Sequence, residues 1–125
     1  MKKAIILVGS HFTGKSKTIR CYLKPKLGID ENEHRFVRNG QDGFILSQSF
    51  EESGRDVDYV IEKYGQYELL ILSARPAEEI ASCLHRARTQ LEAAGYRVNE
   101  VNISPGEPDS FYDQKADEII ELLDR

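Results

Sequence analysis

Gly9-Ser10-His11-Phe12-Thr13-Gly14-Lys15-Ser16 sets two glycines five residues apart and follows the second at once with a lysine and a serine. Ala4-Ile5-Ile6-Leu7-Val8, just before it, is a short unbroken apolar run rich in β-branched residues, the pattern of a strand covered on both faces. A helix is expected after it, over 15–23, with Pro25 and Gly28 as its stop. The spacing has a physical reason. A chain that passes from a strand end into a helix start within so few residues can wrap an anion only where side chains do not obstruct it. Gly9 and Gly14 supply that freedom, and the amides of Ser10, His11, Phe12 and Thr13 turn inward as a nest. The helix start adds its unpaired N–H groups and its dipole. Lys15 brings a point charge to the outer phosphate oxygens. Ser16 offers a hydroxyl to Mg²⁺, and Lys17 completes the phosphate-binding set. An accidental glycine-rich turn is the competing reading. The four fixed positions fall together by chance in well under ~1% of chains this long, and here a strand precedes them and a helix follows.

Working outward, 34–38 and 44–48 read as two strands separated only by Asn39-Gly40-Gln41-Asp42-Gly43. That gap is too short for a parallel crossover, so an antiparallel hairpin is expected. Val57, Val60, Ile61 and Tyr64 recur at helical spacing, with Gly65 as the stop. Glu68 to Ser73 is a second strand of the buried kind. Pro76 is placed as the first residue of a helix running to Gly95, with Glu78 and Glu79 in its first turn. Tyr96 to Ile103 alternates as a last strand. Ser104 to Pro108 is a loop, Ser110 with Asp113 resembles a capping box, and Tyr112, Ala116, Ile119, Ile120 and Leu123 make the final helix amphipathic. Strand and helix thus alternate around one inserted hairpin, which calls for an α/β fold with a mostly parallel sheet.

The bulk properties narrow the classes. The 125 residues make a single domain over 1–125 the expectation. An apolar fraction of 40% with 30% charged residues suits a globular chain. The net charge of −4 shows none of the basic excess expected of a nucleic-acid binder. No apolar run approaches the ~18 residues that span a bilayer. Met1-Lys2-Lys3 looks like the start of an export signal, but the apolar run behind it stops at Gly9, so a cytoplasmic protein is expected. Cys21 and Cys83 lack metal-site spacing and are read as buried reduced thiols; His11, His34 and His85 are scattered.

Residues 4 to 23 resemble the first strand, Walker A loop and first helix of P-loop NTPases. The order and length of the remaining elements are similar to the small nucleoside and nucleotide kinases of that superfamily. The resemblance implies a three-layer α/β/α P-loop domain whose five-stranded sheet runs 2-3-1-4-5, counting the hairpin's first strand. It implies binding of a nucleoside triphosphate, ATP rather than GTP, because no D-x-x-G occurs and Gln114-Lys115-Ala116-Asp117 falls inside the last helix. It implies Mg²⁺ and a kinase-like phosphoryl transfer. Arg75, at a strand's carboxyl end, is the candidate to clamp the transferring group, with at most one of Arg86 and Arg88 facing the site. The loop 104–108 is the candidate contact to adenine.

The sequence departs from that pattern at two places. The strands that ought to end in a metal-holding aspartate end in serine. Glu51, with Glu52 beside it, is the nearest acid to serve the metal; two solvated loop acids are the other reading. With 74–95 read as one helix, little chain remains for an acceptor subdomain or lid. A non-catalytic nucleotide-binding module working with a protein partner, and a slow NTPase, therefore stand beside the kinase.

Overall fold

Ala4 to Val8, apolar without interruption, form the buried part of β1 (Lys2–Val8). The computed structural model describes residues 2–9, 14–46, 57–76, 78 and 82–125. β1 is flanked by two parallel neighbours, β4 (Leu69–Ala74) on one side and β5 (Tyr96–Asn102) on the other. All six residues of β4 are buried, as its continuous apolar pattern demands. β3 (Gln41–Ile45) lies parallel to β4, and β2 (Arg35–Arg38) closes the edge antiparallel to β3. The five strands run in the order β2-β3-β4-β1-β5.

That order corrects the expected 2-3-1-4-5. β3 lies two places from β1, and β4 fills the gap between them. β5 then takes the side of β1 that the expectation gave to β4. Leave β2 aside, and the four parallel strands stand in the order second, third, first, fourth.

The described helices divide between the two sheet faces by the period-2 alternation of the strands. Ile5, Leu7 and Ile71 meet Ile19 and Leu23 of α1 (15–26) and the apolar stripe of α4 (Asp109–Asp124). Ile6, Val8 and Leu72 meet α2 (Val57–Tyr64) and α3 (Leu84–Ala93). The helical run 15–26, α1, begins with Lys15–Lys17, widens to π geometry over Thr18–Leu23 and finishes with Lys24–Lys26. It outlasts the expected end at Leu23. Pro25 is tolerated because the wider register before it relieves the clash of its ring with the preceding turn. Gly28, at φ 76°, then ends the run: the Ile29 amide reaches back to Lys24 O and the Gly28 amide to Pro25 O, both at 3.1 Å, the paired bonds of a left-handed helix cap.

Four local expectations are revised. The hairpin turns on Asn39-Gly40 alone, with Arg38 opposite Gln41 and φ of 53° and 76°; both residue types accept positive φ, so a two-residue turn suffices. α3 begins at Leu84, eight residues later than Pro76 suggested. There the Ser82 hydroxyl accepts the Leu84 amide at 3.1 Å and donates to Arg75 O at 2.8 Å, a closed loop that holds the helix start back. Ser110 lies inside the first turn of α4, whose cap is Pro108, with no side-chain cap bond. Cys21 is exposed and Cys83 half-buried, where both were expected to be buried.

Candidate functional site

The carboxyl ends of the parallel strands meet at one edge of the sheet, where ligands bind in such folds. Backbone bonds stitch the ends together: the Gly9 amide donates to Ala74 O at 3.1 Å and the Ile103 amide to Val8 O at 2.8 Å. Gly9 is buried at the end of β1, and Gly14 stands at the start of α1. Ser10, His11, Phe12 and Thr13 lie outside the described residues.

Gly14 is required twice over. Its φ of 97° is left-handed, a region that costs an L side chain energy. A Cβ there would also stand 2.8 Å from Cε1 of Tyr112. The Gly14 carbonyl is held by both the amide and the hydroxyl of Thr18, each at 2.8 Å. Lys15 is buried at 6% exposure, and its ammonium donates to Gly9 O, folding back across the entrance of the loop. Ser16 and Lys17 are exposed on the first turn. Lys17 Nζ lies 2.8 Å from Asp109 Oδ1 and 5.3 Å from the centre of the Tyr112 ring. The hydrogen bond between them raises the Lys17 ammonium above its usual range and holds the Asp109 carboxyl below its own.

Arg75 follows directly on Ala74, beside Gly9, at the strand end expected of it. Arg86 points elsewhere, to Asp58 of α2 at 2.7 Å. Arg88 pairs with Glu100 of β5 and, at 3.6 Å, with Glu92. Glu100 in turn lines a cleft of about 340 Å³ that runs from Gly9 past Asn102 to Ser104 and Pro105, a volume within the usual range for small-molecule sites. Glu78 lines it as well. The sequence placed Glu78 in a helix and so hid its position in the cleft wall; a proline opening a loop and a proline opening a helix look alike locally. Gln114 to Asp117 do lie inside α4.

Metal ligands are sparse. Glu51 and Glu52 lie outside the described residues, and among the described residues no group of three or more histidine, cysteine or acidic side chains could hold a metal ion. Ser73 is 1% exposed, and its hydroxyl has no hydrogen-bond partner among the described residues. Leu69 and Ile71 face α1, so by alternation Ser73 faces it too. A buried hydroxyl left open is uncommon enough to require a reason. Mg²⁺ keeps several of its waters and binds through few protein oxygens plus phosphates, and the hydroxyls of Ser73 and Ser16 suit such a hydrated ion.

No helix among the described residues is long and apolar enough to cross a membrane. No family model matches the chain, no curated protein matches it, and no solved structure matches it.

Proposed function

We propose that this chain binds a nucleoside triphosphate, ATP in the first instance, with its phosphates in the loop from Gly9 to Ser16 and its nucleoside toward the cleft beside Ser104. One observation carries the reading: the buried Lys15 ammonium lies across the mouth of a glycine-bounded strand-to-helix loop. On this reading its charge, backed by the amides of the helix start, is what holds a polyanion at that junction. The mostly parallel sheet, with its strand ends gathered beside Gly9, supports the reading at the level of an α/β fold. Mg²⁺ would be held by the phosphates, Ser16 and, through water, Ser73, where it would neutralise the charge between the outer phosphates.

In the kinase form of the proposal, Arg75 stabilises the γ-phosphoryl group as it passes from ATP to an acceptor hydroxyl, leaving ADP. α3 starts at Leu84, so Glu78 lies outside it and in the wall of the cleft. A second reading, binding without turnover, is favoured by the end of β4. Ser73-Ala74-Arg75 carries no carboxylate where phosphoryl-transfer enzymes hold their metal.

Thermal unfolding with ATP, GTP, ADP and Mg²⁺ tests the shared claim. A ligand at 100 times its dissociation constant stabilises by about 2.7 kcal/mol, raising Tm by roughly 6 to 15 °C at this size. Lys15→Ala is expected to erase that shift; an equal shift in the variant refutes the proposal. ADP formation that accelerates with one acceptor selects the kinase, and triphosphate binding with no ADP formed selects the second reading.

A further inference from the structure

We infer that Tyr112 is a positioning residue that ties the phosphate loop to the loop 103–108, so that occupancy of one orders the other. The inference rests on the nucleotide reading above and assigns it a specificity element. Tyr112 is 4% exposed at the first turn of α4. One edge of its ring fills the space a side chain at Gly14 would need, 2.8 Å from that absent Cβ. Its hydroxyl donates to Ser104 O at 3.0 Å and accepts the Glu107 amide at 3.3 Å. Lys17, on the turn after Gly14, caps the ring face and holds Asp109.

A single rigid side chain therefore touches the hinge of the phosphate loop with its ring and both ends of the 104–107 turn with its hydroxyl. Shifting Gly14 displaces the ring, and displacing the ring strains both hydroxyl bonds. Because Ser104 also lines the cleft, the consequence is linkage: phosphate binding favours the loop geometry that receives the nucleoside, and the reverse. The tyrosine is a discriminator between a whole nucleotide and its phosphate tail alone.

Inorganic tripolyphosphate, which fills only the phosphate loop, and ATP are the two probes, each with Mg²⁺. In the unaltered protein, tripolyphosphate is expected to slow hydrogen exchange at the Glu107 amide, although it does not reach that residue. Tyr112→Phe keeps the ring against Gly14 and removes the hydroxyl. It is expected to weaken ATP about fivefold to tenfold, with tripolyphosphate affinity essentially unchanged. A purely structural role would weaken both probes together, and that outcome overturns the inference, as does a Glu107 amide indifferent to tripolyphosphate in the unaltered protein. Failure of the unaltered protein to bind either probe overturns the nucleotide reading and this inference with it. Binding without linkage overturns this inference alone.

Discussion

Two tyrosines secure the two ends of the sheet, and they do so differently. At the amino end Tyr96, the first residue of β5, is 3% exposed; its hydroxyl donates toward Tyr67 O at 2.7 Å and lies 3.3 Å from Gly65 O. Lys2 lies over its ring at 5.2 Å. At the carboxyl end Tyr112, under Lys17 at 5.3 Å, donates to one backbone group and accepts from another. Both recorded partners of the Tyr96 hydroxyl are acceptors, so it fastens the turn before β4 to the sheet. Tyr112 is both donor and acceptor and sits between Gly14 and the loop 103–108, which on the proposed reading share a ligand. Both are built of the same parts: a buried phenol, a lysine above it and two backbone groups.

The sharpest way to break this comparison is to disturb what Tyr112 leans on. Gly14→Ala adds a Cβ at φ 97° and 2.8 Å from the ring. Backbone strain and overpacking together are expected to cost about 2–4 kcal/mol, lowering Tm by roughly 10 °C or more at this size. Gly28→Ala is the control. Its φ of 76° is also positive, but nothing lies within 4 Å of the added Cβ, so only strain of about 1 kcal/mol remains. Equal losses in differential scanning calorimetry would mean that the Tyr112 contact yields freely and transmits nothing.

Alkaline pH sharpens the other half of the comparison. Burial pushes the Tyr96 hydroxyl up to about 12 from its ordinary value of 10.0. The folded state thus holds this proton more tightly than the unfolded state. Its contribution is complete below pH 10 and is lost as pH rises toward 12. Two units correspond to about 2–3 kcal/mol. Tyr96→Phe is expected to be less stable than the unaltered protein at pH 8, and the gap should close by pH 12 in urea titrations at each pH. A gap that stays constant over that range would show that Tyr96 ionises as it does in the unfolded chain.

What could be read from the sequence follows the range of the forces involved. β1, β4, α2 and the stop at Gly65 were legible because unbroken apolar runs and helical spacing are local signals. The hairpin was legible as a hairpin, yet Asn39-Gly40 was the stronger signal and narrowed the turn to two residues. The strand order was not legible, because it depends on which slot β4 takes after α2, a long-range choice. The start of α3 was missed since Ser82 binds Arg75 O, seven residues back, and no periodicity reports such a bond. For the site, the glycines and Lys15 were legible from spacing. Tyr112 was not: along α4 it counts as one more apolar position in a stripe, and its hydroxyl partners lie in a loop before the helix. A tyrosine where the stripe otherwise carries alanine, isoleucine and leucine, soon after Pro105-Gly106, was the available clue.

The smallest effect tests whether the lysines above the two rings are as interchangeable as they look. The Lys17–Asp109 pair has side chains 47% and 75% exposed, so water and salt screen it. Lys17→Ala is expected to leave thermal unfolding essentially unchanged, because both the ion pair and the cation–π contact are exposed. Binding is where the two lysines part. Lys2 donates to Gly65 O at 2.7 Å at the far end of the sheet, so Lys2→Ala should leave tripolyphosphate affinity untouched. Lys17 lies in the first turn of α1, its ammonium shared between Asp109 and the face of the Tyr112 ring. Its removal should therefore weaken tripolyphosphate by less than about threefold. A loss of an order of magnitude in calorimetric titration would mean that Lys17 releases Asp109 on binding and turns to the phosphates. The ring of Tyr112 would then lose its cap at the moment the loop fills, and the linkage assigned to its hydroxyl would have to pass through Lys17 instead.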